Sequence, residues 1–311
     1  TMHVRLVKGA YWDYEIKNAQ VKGLAGYPVF TNKKLTDINY LVTAKQLIEA
    51  PNLEASFATH NAHTISSILS LSEDQSKQIE FQRLYGMGEL LYSACSETFK
   101  HFNSTSVYCP IGKHKELLPY LVRRLLENGA NSSFINQYLS AKIPVSDLAI
   151  NPAEEIQAKL DLKTLSNLPL PNEIYLPRIN SAGLDLSEHE CLDSISQAIN
   201  KVQINPMDIF GVSSYALTHL EGVVSNSICN QSIIGKVYFS DPAHIKKLTF
   251  TDSLDWRNTP IDDRASVLMK VADSIENLSL EFIDLMIHEA GKTTQDAHDE
   301  IRECVDFLRY Y

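Results

Sequence analysis

Two arginines stand side by side in the stretch LPYLVRRLLENGANSSF, at Arg123 and Arg124. Adjacent guanidiniums repel, and a solvated face gains nothing from having them as neighbours. A shared anion gives adjacency a use, because the planar fork of arginine matches a carboxylate bidentately and two forks can hold one between them. At about 100° per residue, Tyr120, Arg123, Arg124 and Glu127 fall on one side of a helix, and Leu118, Leu121, Val122 and Leu125 on the other. The pattern alone leaves two readings open, a solvated outer face and an anion site.

Other chemistry-bearing residues lie where short apolar runs end. They are Lys8-Gly9-Ala10-Tyr11-Trp12, Thr59-His60-Asn61, Gln82-Arg83-Leu84-Tyr85 and Tyr108. Packing does not require so polar and aromatic a set. Gly9 would let backbone approach a flat ligand. His60 and His63 form an H-x-x-H pair, yet no third ligand has a suggestive position, so no metal is expected and His60 is read as a hydrogen-bond donor. The Gly291-Lys292-Thr293 triplet ends like a phosphate-binding loop, but that motif needs glycine where Met286 stands.

The elements that must position these groups alternate. HVRLVKGA, ASFATHN, IEFQRLYGMG and STSVYCPIG read as short strands. Helical runs follow them, including YWDYEIKNAQVKG, LTDINYLVTAKQLIEA, AHTISSILSLS, ELLYSACSETFKHF and HKELLPYLVRRLLENGA. Strand and helix in turn, four times over, predict parallel βα units, either a small open sheet or half of an eight-stranded barrel. In both, ligands sit at the C-terminal strand ends, where the polar collar lies. Residues 141–190 hold many prolines and read as a connector with one short helix. Beyond it, SEHECLDSISQAINKVQ is helical and ALTHLEGVVSNSICNQSIIGKVYFS is hairpin-like. The run from Asp262 to Tyr311 has helical i, i+3, i+4 apolar spacing.

The chain has 311 residues, 44 % of them apolar, and a net charge of −10, which disfavours a nucleic-acid surface in this segment. No apolar run reaches transmembrane length. Five scattered cysteines without a C-x-x-C pair predict a reduced, cytoplasmic protein. The N-terminus lacks a signal-peptide core, and both ends read as lying inside domains.

The runs RLVKGAYWDYEIKNAQ, GYPVFTNK, FATHNAHT, EFQRLYGMGE and YLVRRLLENGANSSF resemble the proline dehydrogenase domain of the bifunctional proline utilization A flavoproteins. NSAGLDL resembles their linker, and the stretch from DWRNTPIDDRASVLMKVADSIE to the end resembles the start of their aldehyde dehydrogenase domain. The resemblance implies an α/β chain in three parts. Residues 1–140 would be the C-terminal half of a (βα)8 barrel, 141–190 a linker, and 191–311 the N-terminal helical and hairpin part of an aldehyde dehydrogenase-like domain.

The implied activity is FAD-dependent oxidation of L-proline to Δ1-pyrroline-5-carboxylate. A following domain would oxidise glutamate semialdehyde to glutamate with NAD, whose site lies outside this chain. By the same resemblance, Arg123 and Arg124 grip the substrate carboxylate, and Tyr11, Leu84, Tyr108 and Tyr120 line the substrate ring. Arg5 matches the arginine beside the flavin N5, where its charge would stabilise the reduced flavin; with Tyr108 and the arginine pair it makes up the catalytic set. Val7, Lys8, Gly9, Ala10, Trp12, Thr31, Thr59, His60, Asn61, Gln82 and Glu127 match positions that contact or support FAD.

The match also has gaps. The first half of the barrel is absent, as are the aldehyde dehydrogenase nucleophile, its general base and its nucleotide-phosphate loop. Cys304 lies outside any nucleophile motif and is read as a core thiol. The chain alone is expected to be inactive and poorly soluble. Peripheral association with the inner membrane and homo-oligomerisation stay open for the full protein. Two other classes compete, a non-catalytic barrel-derived binding protein and an aldehyde dehydrogenase with an unrelated leader.

Overall fold

The computed structural model describes residues 1–9, 11–73, 77–102, 104–129, 151–157, 166, 168–199, 207–210, 217–225, 233–240, 242–246 and 254–311. Chain contacts divide into two units, residues 1–12 with 29–168, and residues 13–28 with 169–311.

The first unit is built on strand β1 (Met2–Val7), β2 (Leu53–Ala58), β3 (Glu80–Leu84) and β4 (Thr105–Tyr108). They form one sheet in the order β1-β2-β3-β4, all parallel. Helix α1 (Trp12–Lys22) follows β1 in the chain but is counted from residue 13 on with the second unit; α2 (Lys33–Glu49), α3 (Ala62–Ser72), α4 (Glu89–Thr98) and α5 (His114–Gly129) follow in turn in the first. The expected alternation is therefore present, as crossover helices joining parallel strands require. Local chemistry starts the helices: the Asn32 and Asn61 side chains accept from the backbone N–H groups of Lys34 and Thr64, as N-caps do.

Period-two alternation gives each strand two faces. On one face Ala55, Phe57 and Phe81 are buried against Tyr40, Ala44, Ile48, Ile65, Ile68, Tyr92 and Phe102. Phe81 stacks on Phe102 with ring centroids 4.9 Å apart, and Tyr92 meets Phe102 edge-on at 5.4 Å. Two buried tyrosines tie the strand ends from beneath. Tyr40 donates to the carbonyls of Leu6 and Ala58, and Tyr92 to those of Thr59 and Gln82. Burial pushes both phenols well above their ordinary pKa. The opposite face carries Arg5, Ser56, Glu80, Gln82 and Ser106, a polar row in which Arg5 is in register with Ser56, Ser56 with Glu80, and Gln82 with Ser106.

A short helix α6 (Pro152–Gln157) packs on α2 within this unit. In the second unit come α7 (His189–Ile199), β5 (Met207–Phe210), β6 (Leu217–Ser225) and β7 (Ile233–Ser240). Strands β6 and β7 make the antiparallel pair that the sequence predicts, and β5 adds to β7 in parallel, a strand the sequence does not announce. Helices α8 (Pro242–Ile245), α9 (Leu254–Asn258), α10 (Ile261–Asn277), α11 (Ser279–Ala290) and α12 (Thr294–Tyr310) complete the described elements. Ala272, Ile283, Ala297, Ile301 and Val305 form the core of α10, α11 and α12.

The linker motif is fastened into this unit by side chains of α10 and α12. Asp306 accepts from the Ser181 backbone at 2.7 Å and from its hydroxyl at 2.9 Å. Glu276 accepts from the Ala182 N–H at 2.6 Å, and His298 Nε2 from the Leu184 N–H at 3.1 Å. Gly183 donates to the Gly23 carbonyl at 2.7 Å, and Arg302 to that of Val21 at 3.0 Å. A Cβ on Gly183 would sit 1.7 Å from the Lys22 carbonyl oxygen, so this contact requires glycine.

One expectation fails here. Cys304 is exposed rather than a core thiol. On α12 the buried stripe is Ala297, His298, Ile301 and Val305, and Cys304 falls on its flank.

Candidate active site at the strand ends

Helix α5 brings its arginines to the strand ends. The Arg123 guanidinium lies over the Tyr11 ring at 5.4 Å, and that of Arg124 over the Tyr120 ring at 5.3 Å. Tyr120 faces Tyr108, the last residue of β4, with ring centroids 6.1 Å apart. Arg5 lies over the Tyr108 ring at 5.8 Å. These cation–π contacts orient the forks while neutralising no charge. One cluster thus holds Arg5, Tyr11, Tyr108, Tyr120, Arg123 and Arg124.

The amphipathic reading of α5 is inverted. Leu118, Leu121 and Val122 are exposed, whereas Arg123 and Arg124 are partly covered. The reading of Arg123 and Arg124 as a plain solvated face is thereby disfavoured. Tyr11 holds a φ of +70°, a left-handed backbone that a bulky side chain rarely adopts. Strain of this kind costs on the order of 1–2 kcal/mol and persists where the surroundings over-determine it.

Beneath the cluster, Arg5 Nε donates to Gln82 Oε1 at 2.7 Å, and Gln82 Nε2 donates to Glu80 Oε2 at 2.9 Å. Leu84 ends β3 opposite Tyr108 in the ladder. Val7 ends β1 and is exposed; a Cβ on Gly9 would meet no atom within 4 Å. Lys8 is half-buried, with polar partners of its own. It donates to Asp37 at 2.5 Å and lies 3.3 Å from the Thr64 hydroxyl, while Lys33 meets the other Asp37 oxygen at 2.9 Å. Burial lowers the pKa of Lys8, against the pull of Asp37. Asp37, though burial opposes it, is held below the ordinary carboxylate range by Lys8 and Lys33.

The remaining sequence-predicted residues divide. Trp12 donates from its indole to the Phe30 carbonyl at 2.9 Å, and Thr31 to the Ser166 hydroxyl at 3.0 Å. Thr59 accepts from the Asn61 N–H, and Asn61 caps α3, so both side chains shape the β2–α3 turn. His60 engages the end of β3 and keeps Nδ1–H as a donor. Its Nε2 accepts from the Leu84 N–H at 3.1 Å, so the ring is neutral with its proton on Nδ1. Burial, then the charges of Arg124 and Arg83, lower its pKa. Gly88 has a φ of +71°, and a Cβ there would approach His60 Cδ2 to 2.9 Å. Ala10 and the Glu127 side chain lie outside the described residues. Sequence reasoning missed Asp37 and Glu80; the alternation of Glu80 with Gln82 in EFQRL was the available signal for the latter.

No group of three or more His, Cys, Asp or Glu side chains that could hold a metal occurs among the described residues. The cluster does fit a planar, anionic organic group. Three guanidiniums and three aromatic rings converge at the strand ends, and the space at Gly9 is open.

Parallel βα units with a basic and aromatic collar at the strand ends define an α/β protein with a candidate site for an anionic ligand. Residues 1–137 match the proline dehydrogenase family model, and residues 223–311 that of the aldehyde dehydrogenase family. In that order the two parts fit an internal segment of the bifunctional proline utilization A (PutA) proteins. The bifunctional protein PutA of Salmonella typhimurium is 40 % identical over 99 % of this chain and 24 % of its own length. That of Rhizobium meliloti is 36 % identical over 99 % of this chain and 26 % of its own. A crystal structure of a mutant Bradyrhizobium japonicum PutA matches with a TM-score of 0.80 and 38 % identity, over 99 % of this chain and 29 % of that one. The Bdellovibrio bacteriovorus PutA inactivated by N-propargylglycine matches with a TM-score of 0.81 and 28 % identity, over 100 % of this chain and 32 % of that one. The chain thus spans about a quarter of the length of the curated relatives it matches.

No helix among the described residues is long and apolar enough to cross a membrane.

Proposed function

We propose that this chain supplies the substrate-gripping half of an FAD-dependent proline dehydrogenase and the beginning of an NAD-dependent glutamate semialdehyde dehydrogenase. The observation that carries the reading is the adjacent pair Arg123 and Arg124, each laid over a tyrosine ring at the end of a parallel sheet. The two family matches and their order support it, as does the likeness to proteins named bifunctional PutA. The proposed division is 1–140, 141–190 and 191–311, with the two family matches falling inside its first and last parts.

The residues divide the work by chemistry. Arg123 and Arg124 take the carboxylate of L-proline through charge-assisted hydrogen bonds, which fix the amino acid in one orientation. Tyr11, Leu84, Tyr108 and Tyr120 surround its ring and exclude water. Bound FAD supplies the acceptor for hydride from the substrate carbon that becomes the imine carbon of Δ1-pyrroline-5-carboxylate. Arg5 sets a fixed positive charge where negative charge develops on reduction, and the strand-end segment from Val7 to Trp12, with Thr59 to Asn61, Gln82, Thr31 and Glu127, holds the cofactor. The NAD of the second reaction would bind outside this chain.

The test is the visible spectrum of the complete gene product, recorded anaerobically before and after L-proline. Bleaching of a bound flavin supports the reading. Flavin that stays oxidised reopens substrate and mechanism, and a protein without flavin leaves only the aldehyde dehydrogenase part.

A further inference from the structure

Glu80 has no assigned role in the reading above, yet three strands converge on its carboxylate. Ser56 of β2 donates to its Oε2 at 2.5 Å, and Gln82 Nε2 donates to the same oxygen at 2.9 Å. Ser106 of β4 adds a side-chain hydrogen bond, and these bonds hold the carboxyl below the ordinary range, so it is ionised at neutral pH.

An amide side chain has a donor end and an acceptor end, and its neighbours decide which way it points. With Gln82 Nε2 committed to Glu80, Oε1 faces Arg5 and accepts from its Nε at 2.7 Å. The reverse orientation would set amide N–H against guanidinium N–H and amide oxygen against carboxylate. A carboxylate in place of Gln82 would orient Arg5 too, but it would neutralise the guanidinium at the point where its charge is needed. The amide passes on the orientation and leaves the charge.

We propose that Glu80 is a positioning residue for the cofactor-facing guanidinium, acting through the Gln82 amide to fix Arg5. The inference rests on the flavin role given to Arg5 above. Glu80 touches neither substrate nor cofactor in this assignment, and its effect is electrostatic order at one remove.

The experiment compares Glu80→Gln, Arg5→Met and the double variant in the complete FAD-loaded protein, by flavin midpoint potential and by proline-dependent reduction. Glu80→Gln keeps volume but gives Gln82 a partner that accepts or donates equally well. The expected result is a reduced form destabilised about tenfold, a negative shift of about 30 mV for a two-electron couple. The rate of reduction falls in step, KM for proline is unchanged, and the double variant is no worse than Arg5→Met. Should Glu80→Gln misfold, Ser56→Ala, which removes one support from the carboxylate, must show the same direction at smaller size. An unmoved potential in the folded variant, or effects that add in the double variant, overturns the assignment. If the unaltered protein holds no flavin or is not bleached by L-proline, the functional reading fails first and this inference falls with it. Bleaching in the unaltered protein with a silent Glu80 removes this inference alone.

Discussion

Arg5 and Gln82 meet across a strand that belongs to neither. Arg5 lies on β1 and Gln82 on β3, β2 runs between them, and the Nε–Oε1 distance is 2.7 Å. Ser56 is the β2 residue in register with Arg5, and its short side chain leaves room for the reach. A large residue at position 56 would separate the pair.

The arginine pair yields the most direct prediction. Arg124→Met in the complete protein should raise KM for L-proline by roughly 10²-fold, from the loss of a charged hydrogen bond costing about 3 kcal/mol. Arg123→Lys keeps the charge but not the fork, and should fall between that variant and the parent. Steady-state kinetics check both, and an unchanged KM in Arg124→Met would sink the carboxylate clamp.

Tyr11 sets backbone against function. Tyr11→Ala keeps a φ of +70° on a residue with a Cβ, whereas Tyr11→Gly relieves it. The glycine variant should be the more stable by about 1 kcal/mol, while both lose the ring beneath Arg123 and bind proline more weakly. Thermal melts and proline titrations separate the two effects. Equal melting temperatures would show that the turn is not strained.

His60 predicts a pH dependence of definite sign. Its folded pKa is lowered, so between that value and the unfolded value of about 6.5 the unfolded chain binds more protons. Its contribution is complete above about pH 6.5 and is lost as pH falls towards the folded pKa. His60→Gln keeps an acceptor for the Leu84 N–H without titrating, and should flatten the acid side of the stability profile measured by urea melts. His298 is likewise lowered, by burial and by Arg302, so some acid sensitivity remains. A profile unaltered by His60→Gln counts against the neutral acceptor.

Gly183 is expected to tolerate no side chain. Its added Cβ would lie 1.7 Å from backbone, which cannot rotate aside, so Gly183→Ala should cost on the order of 3 kcal/mol. Differential scanning calorimetry of the complete protein reads the loss, and a variant melting with the parent refutes the close contact.

What the sequence disclosed follows from range. The helix Ala62–Ser72 was legible to the residue, because an asparagine cap and a 3.6-residue period are local signals. Strand β5 was not, since Met207–Phe210 has too few residues for a period and its partner β7 lies well downstream. The arginine pair was legible as an anion site or a solvated face, but its orientation depends on Tyr11, which no spacing links to Arg123. The acceptor role of His60 Nε2 was not legible, because its partner, the Leu84 N–H, arrives from another strand. Lys8 matched a cofactor position, while its contact with Asp37 of α2 is a tertiary fact.

The fastening of the linker motif bears on how this protein can be divided. Residues 13–28 are grouped with the second unit, although both flanking segments belong to the first. The carbonyls of Val21 and Gly23 are the ones that Arg302 and Gly183 engage. A truncation that begins at Pro169 would delete those acceptors and, with Lys22 and Gly23, the close contact that makes Gly183 necessary. The chain visits each unit twice, so no single cleavage frees either one whole. A fragment meant to keep the fold of residues 169–311 must therefore carry residues 13–28 as well.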